Sequence, residues 1–180
     1  GGGEVFHYKW VLKRSEWVVE ERTWKPVPQD TRNPLYVNGE AVETPSLTYT
    51  FDKPGTYTFT RSVKEESCKS DMIESRNPHV VVVYEAINPG SIGSFTRHLC
   101  SPLCLDTIQE TDTVSGGNGV YTYRWLCNGE EIPQSDSIYL PLENIPMESG
   151  NTYVFTRQVK DDTGLMNWQT ARGKVTVSVY

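Results

Sequence analysis

Two ten-residue stretches of this 180-residue chain align without a gap, GGGEVFHYKW at residues 1–10 and GGNGVYTYRW at residues 116–125. A second pair of matching stretches follows, TYTFTRSVK at 56–64 and TYVFTRQVK at 152–160. The first pair is offset by 115 positions and the second by 96, so the first copy carries 19 extra residues between its two blocks. Self-similarity of this kind indicates two homologous modules, one of which contains an insertion.

The matching blocks have the residue alternation of β-strands. Tyr121, Tyr123 and Trp125 share one face of an extended chain, and Thr122 and Arg124 share the other. The composition agrees, because ten Tyr, five Trp and five Phe are interrupted by 14 Gly and 11 Pro. We therefore predict an all-β chain.

The repeat also predicts the domain organisation. The first module is expected to span residues 1–86 and the second residues 87–180. About 28 residues precede the Gly-Gly motif of the second copy, whereas none precede that of the first. We therefore expect the first module to be incomplete at its N-terminus and to carry the insertion.

Several of these motifs resemble a known family. The stretch FDKPGTYTF at 51–59 resembles the late-strand signature of PKD-like and related immunoglobulin-like modules. The Gly-Gly-x-Gly-x-Tyr-x-Tyr-x-Trp pattern at 116–125, and NPGSIG at 88–93, are similar to tandem repeats of large Bacteroidetes cell-surface proteins. The resemblance implies two tandem immunoglobulin-like (PKD-like) β-sandwich domains that act as a structural or adhesive module pair outside the cell. The implied partners are neighbouring modules of the parent chain and a host or matrix protein or glycan.

Charge and motifs exclude several other classes of protein. A net charge of −6 does not suit nucleic-acid binding, which needs a basic face to neutralise phosphates. No apolar run approaches the roughly 20 residues that span a bilayer. Nucleophile-elbow, metalloprotease and phosphate-loop motifs are absent from the sequence. We predict that the chain is not an enzyme, binds no cofactor or metal, and neither binds nucleic acid nor inserts into a membrane.

The four cysteines leave two interpretations open. Cys127 is expected to lie at the same pole of the second module as Cys100 and Cys104, so a disulfide to one of these two is feasible. Alternatively Cys127, which aligns with a leucine in the first copy, is a small buried apolar residue. Cys68 is expected to lie far from the others. A zinc site with His98 matches the usual ligand spacing only in part.

The candidate binding residues Trp17, Trp24 and Tyr36 lie in or beside the insertion. Aromatic side chains with charged neighbours form platforms for a sugar or a protein partner. The structural alternative is that both tryptophans cover an open sheet edge and core, since edge strands need covering. A glycan-binding accessory module is therefore the alternative function.

Three short motifs resemble the O-glycosylation acceptor pattern of Bacteroidetes exported proteins. They are Asp-Thr-Ile at 106–108, Asp-Thr-Val at 112–114 and Asp-Ser-Ile at 136–138. The resemblance implies Thr107, Thr113 and Ser137 as acceptors.

Overall fold

The computed structural model describes residues 4–18, 21, 23–67, 69–99 and 107–180. Within these ranges the chain is all-β, with several sheets and two single turns of 3-10 helix, as the sequence predicts. None of the helical segments in this part of the chain is long and apolar enough to cross a membrane. The chain divides into two compact units, Gly1–Tyr84 and Glu85–Tyr180. The predicted boundary lies two residues further along the chain.

Unit 1 contains a five-stranded antiparallel sheet and a small hairpin. In the sheet, β1 pairs with β2 and β5, and β5 also pairs with β6 and β7. The strands β3 and β4 form the hairpin, closed by an Asn-Gly turn at 38–39. The bounds are β1 Phe6–Val18, β2 Thr23–Pro26, β3 Tyr36–Val37, β4 Glu40–Ala41, β5 Gly55–Glu65, β6 Ile73–Glu74 and β7 His79–Val83, with a 3-10 turn at Pro28–Asp30.

Unit 2 contains a six-stranded sheet, with the order β13-β12-β15-β17-β9 and β16 added to β15. The short pairs β10-β14 and β11-β8 lie outside this sheet. The pairing of β9 with β17 is parallel, and the other pairings are antiparallel. The bounds are β8 Glu85–Asn88, β9 Ser91–Leu99, β10 Thr107–Ile108, β11 Ser115–Gly117, β12 Tyr121–Cys127, β13 Glu130–Glu131, β14 Leu140–Pro141, β15 Thr152–Asp161, β16 Gln169–Thr170 and β17 Arg172–Val179, with a 3-10 turn at Leu142–Asn144.

The core of unit 2 lies between its large sheet and a second layer. Trp125, Phe155 and Val175 of the sheet pack in one cluster with Ile108 and Leu140 of the β10-β14 pair. Unit 1 has a smaller core, which Leu12, Tyr57 and Phe59 of its sheet form with Leu35 and with residues of the segment that connects β4 to β5. This layered burial is consistent with a β-sandwich.

The sequence repeat persists in the strand register. Trp10 of β1 lies opposite Arg61 of β5, and Trp125 of β12 lies opposite Arg157 of β15. The partners of β5 in β6 and β7 match those of β15 in β16 and β17 at the same offset of 96. The described part of unit 1 contains no counterpart of β8–β11.

An equivalent backbone hydrogen bond in each unit shows where most of the insertion lies. The Leu35 amide donates to the Trp10 carbonyl, 25 residues earlier, and the Ile132 amide donates to the Trp125 carbonyl, seven residues earlier. Eighteen of the extra residues therefore lie between Trp10 and Leu35. They extend β1, form β2 and form the first 3-10 turn. The Asn-Pro-Gly stretch at 88–90, close to the predicted boundary, begins with the last residue of β8 and leads into β9 within unit 2.

Candidate functional site

A tryptophan and an arginine on neighbouring strands bind the opposite layer of unit 2. The indole Nε1 of Trp125 donates to the Ser137 carbonyl at 2.9 Å, and Nη1 of Arg157 donates to the next carbonyl, Ile138, at 3.3 Å. Both side chains are fully buried. The pair holds the loop before β14 against the sheet.

Unit 1 contains the same arrangement of a tryptophan and an arginine, which we call the Trp-Arg arrangement. Trp10 Nε1 donates to the Thr44 carbonyl at 2.9 Å, and Arg61 Nη1 donates to the Pro45 carbonyl at 2.8 Å. Again the two acceptors are consecutive, so each copy binds two successive carbonyls of an irregular segment. This duplication supports a structural role for both arginines.

Arg157 has further partners that explain how its charge is buried. It forms an ion pair with Glu110 at 3.3 Å and donates through Nη2 to the Pro89 carbonyl at 3.2 Å. Its guanidinium also lies over the Tyr123 ring, 5.4 Å from the centroid. The Nε atom is buried without a hydrogen-bond partner. Both Nη atoms are bonded to protein groups and the side chain is fully buried, so the guanidinium is not available to contact a substrate.

The exposed tryptophans lie at the end of the long β1-β2 hairpin. Trp17 and Trp24 are direct cross-strand partners, and their rings meet edge to face at a centroid distance of 5.5 Å and an angle of 63°. Such a pair stabilises a hairpin by about 0.5–1.5 kcal/mol beyond the area it buries. Even so, 48% of Trp17 and 39% of Trp24 remain exposed.

The strand alternation explains why Trp17 is exposed. Leu12 and Arg14 face the core, so Trp17, an odd number of residues further on, lies on the opposite face of β1. The structure therefore does not place this side chain over the core. The neighbouring pair Glu16 and Lys25 lies on the other face, so aromatic and charged side chains are separated at the tip.

Arg14 fixes the base of this hairpin. Its Nη1 donates to Asp30 Oδ2 at 2.7 Å, and its Nε and Nη2 donate to the Pro54 carbonyl at 3.1 and 2.6 Å. Burial disfavours the charged guanidinium, but the hydrogen bond to Asp30 and the electrostatic attraction of Tyr57, Asp30 and Glu16 outweigh it and raise the pKa of Arg14. Arg14 therefore holds the insertion to the residue that immediately precedes β5.

A small polar concavity of about 70 Å³ lies beside this ion pair. Burial raises the pKa of the Tyr49 and Tyr57 phenols, and the Arg14 charge opposes the shift at Tyr57. The Tyr57 hydroxyl already donates to the Lys53 carbonyl at 2.7 Å. A space of this size holds a few waters. Its lining residues are Leu12, Arg14, Asp30, Arg32, Tyr49, Asp52, Lys53 and Tyr57.

Tyr36 does not join the two tryptophans. It is 55% exposed and begins β3, next to Leu35, whose amide binds the Trp10 carbonyl. Trp17 lies seven residues further along β1, about 23 Å at roughly 3.3 Å per residue. The predicted three-residue platform is thus divided into a tryptophan pair and a separate tyrosine.

The predicted disulfide involves residues outside the described ranges. Cys100 and Cys104 lie there, as does Cys68, so the bridge stays a prediction. Cys127 is a free thiol within the described part. It is half-buried against the core of unit 2, opposite Phe155, as Leu12 is opposite Phe59 in unit 1. Burial, and secondarily the charge of Glu130, raise the pKa of this thiol.

The three candidate glycosylation residues differ in accessibility. Thr113 and Ser137 are exposed outside regular strands, as acceptor sites require. Thr107 is half-buried at the start of β10, directly after residues that the structure does not describe. Thr113 and Ser137 therefore fit the pattern better than Thr107. No group of three or more His, Cys, Asp or Glu in the described part is placed to hold a metal ion.

One cluster was not predicted from the sequence. On unit 2, the Trp168 ring is contacted by two cations, Arg124 at 4.4 Å and Lys160 at 4.7 Å from its centroid. Arg124 also donates to Gln158 and pairs with Glu131, both at 2.7 Å. The alternation predicts that Arg124 and Lys160 share a face, but Trp168 comes from a loop that no local pattern positions.

Comparison with known proteins adds no assignment, since no family model and no curated protein matches the chain significantly.

Proposed function

We propose that this chain is a non-catalytic pair of immunoglobulin-like (PKD-like) modules from an extracellular bacterial surface protein, and that it adheres through the tip of its β1-β2 hairpin. The observation that carries the adhesive part is the exposure of Trp17 and Trp24, 48% and 39%, in a segment that unit 2 lacks. Large exposed aromatics are typical anchors of protein interfaces.

The immunoglobulin-like part of the proposal is supported by the repeat. Both units use the same Trp-Arg pairing to bind two successive carbonyls of an irregular segment. The buried cations Arg14 and Arg157 are likewise used to join segments of their own units. These roles are structural, as is expected of a module whose main task is to hold a surface in place.

The hairpin is suited to adhesion because it is already ordered. Arg14 ties its base to Asp30 and Pro54, and Trp17 and Trp24 pack edge to face across its far end. Binding to a preorganised surface avoids much of the entropy lost when a loop is immobilised. The edge-to-face geometry offers a ridge and not one flat stacking plane, which favours a protein partner over a sugar ring.

The test measures binding of the full chain to immobilised collagen, fibronectin and laminin, and to a glycan array. We expect binding to at least one matrix protein, and Trp17→Ala should weaken it about tenfold or more. Tyr36→Ala removes an equally exposed aromatic from a different place and serves as the matched control, with unchanged binding. Circular dichroism of each variant verifies the fold.

Two outcomes contradict this proposal. Equal effects of Trp17→Ala and Tyr36→Ala would show that the hairpin tip is not the contact. Binding to glycans alone, competed by the free sugar, would establish the glycan-binding alternative instead.

A further inference from the structure

In unit 2 the outer edge of β17 is paired with β9. The two strands run parallel, with Val175 opposite Phe95, Val177 opposite Arg97 and Val179 opposite Leu99. The three valines are almost completely buried. The added strand thus completes the sheet and closes this side of the core.

In unit 1 the strand at the same place is β7. Its pairing with β5 repeats the β17-β15 register at an offset of 96, so His79–Val83 corresponds to Val175–Val179. Within the described residues, β7 pairs with β5 and with no other strand. Val81 and Val83 are only half-buried, although their counterparts in unit 2 are almost completely buried.

The sequence of β7 is suited to burial on both faces. Its outward-facing residues are Val80 and Val82, 53% and 39% exposed, where β17 has Thr176 and Ser178. Strands that lie inside parallel sheets have continuous apolar runs of this kind. Exposed edge strands are normally protected by lysine, proline or a bulge, and His79–Val83 contains neither residue and pairs with β5 without a register shift.

Arg61 makes fewer hydrogen bonds than its counterpart in unit 2. Its counterpart Arg157 binds the Pro89 carbonyl and Glu110, which lie on either side of β9 in the chain. Arg61 retains the equivalent of the third bond, to Pro45, and lies 5.8 and 5.9 Å from the centroids of the Tyr8 and Trp10 rings. In unit 2, the segment that contains the edge strand β9 therefore also supplies the carboxylate and one carbonyl that bind Arg157.

We propose that the outer edge of β7 binds an extended strand of the β9 type in parallel. The partner is a segment in which alternate residues face the core of unit 1, as Phe95, Arg97 and Leu99 do in unit 2, and whose preceding turn offers a carbonyl to Arg61. Because Val80 and Val82 replace Thr176 and Ser178, the partner's outward residues are expected to be apolar or β-branched. This edge is distinct from the hairpin tip and does not depend on the adhesive role.

The test uses the full chain and a fluorescent synthetic peptide with the sequence of residues 85–99, which contains β9 and the preceding turn, with the outward changes Thr96→Val and His98→Val to match Val80 and Val82. Fluorescence anisotropy measures binding, and hydrogen exchange read by mass spectrometry locates it. We expect saturable binding, with slower exchange within His79–Val83.

Variants on the two equivalent strands provide the control. The double change Val80→Lys and Val82→Lys should lower the affinity about tenfold or more, because lysines on an edge oppose strand addition. The same changes at Thr176 and Ser178, on the strand already covered by β9, should leave the affinity unchanged. Since Val80 and Val82 are exposed, the variant is expected to fold, and the exchange data on the wild type test the proposal independently.

Three results would overturn the assignment. They are no saturable binding at millimolar peptide, protection outside β7 accompanied by faster exchange of the chain's own β9, and equal weakening by both double variants. A chain that dimerises without peptide in sedimentation experiments, and loses the dimer on Val80→Lys and Val82→Lys, would make a second copy the occupant. Binding should be unaffected by Trp17→Ala, which separates this proposal from the hairpin contact.

Discussion

Replacing Arg157 and its partly exposed counterpart Arg61 with methionine tests whether the two copies of the Trp-Arg arrangement have the same energetic importance. Methionine fills much of the volume of the arginine stem but removes its charge and donors. In unit 2, Arg157→Met removes the ion pair with Glu110, 3.3 Å away, and the bonds to the Ile138 and Pro89 carbonyls. In unit 1, Arg61→Met removes one bond, to the Pro45 carbonyl.

The magnitudes follow from what each change leaves without a partner. Removing one member of a buried ion pair costs about 3–5 kcal/mol. The Glu110 side chain retains 18% exposure and some hydration, so we expect about 3 kcal/mol for Arg157→Met. Arg61 is partly exposed and water replaces its single bond, so Arg61→Met should cost about 1 kcal/mol.

Urea titration followed by hydrogen exchange measures the unfolding free energy of each unit separately, because peptides from residues 1–84 and 85–180 report on different units. A loss below about 1 kcal/mol for Arg157→Met would refute the argument, since it would mean that the methionine packs as favourably as the bonded cation. Equal losses in both units would refute it as well.

Two further predictions concern single positions in unit 2. A Cβ on Gly173, where φ is +84°, would lie 1.9 Å from the Gly93 carbonyl oxygen, whereas a Cβ on Gly129, where φ is +90°, meets nothing within 4 Å. Thermal unfolding should therefore show a stability loss of about 3 kcal/mol or more for Gly173→Ala and about 1 kcal/mol for Gly129→Ala. Equal losses would contradict the close approach of β9 to β17. The raised pKa of Cys127 lowers its thiolate fraction near neutral pH, so iodoacetamide should modify it more slowly than a free cysteine peptide, and Glu130→Gln should speed the reaction. Site-resolved mass spectrometry measures the rate, and modification only after reduction would instead establish the disulfide.

Strand positions and the alternation within each strand were predictable because they depend on local pattern. The alternation grouped Trp125 with Tyr121 and Tyr123, and the repeat extended the pattern to Trp10, but only the structure showed that these strands pair with those of Arg157 and Arg61. The insertion was also visible, as a difference between two offsets. The separation of Tyr36 from the tryptophan pair was not predictable, because the sequence does not show where β1 ends and β2 begins.

By itself, the sequence determined the all-β class, the internal repeat and the faces of the main strands, since a two-residue period requires only neighbouring residues. The tertiary structure decided which of those faces are covered. Arg157 is fully buried and Arg61 is not, although both occupy the same strand position, because segments around β9 and β10 reach only the former. The same difference leaves Val80 and Val82 exposed on β7. Burial depends on which distant segment packs against a strand, and distant packing is not encoded in local alternation.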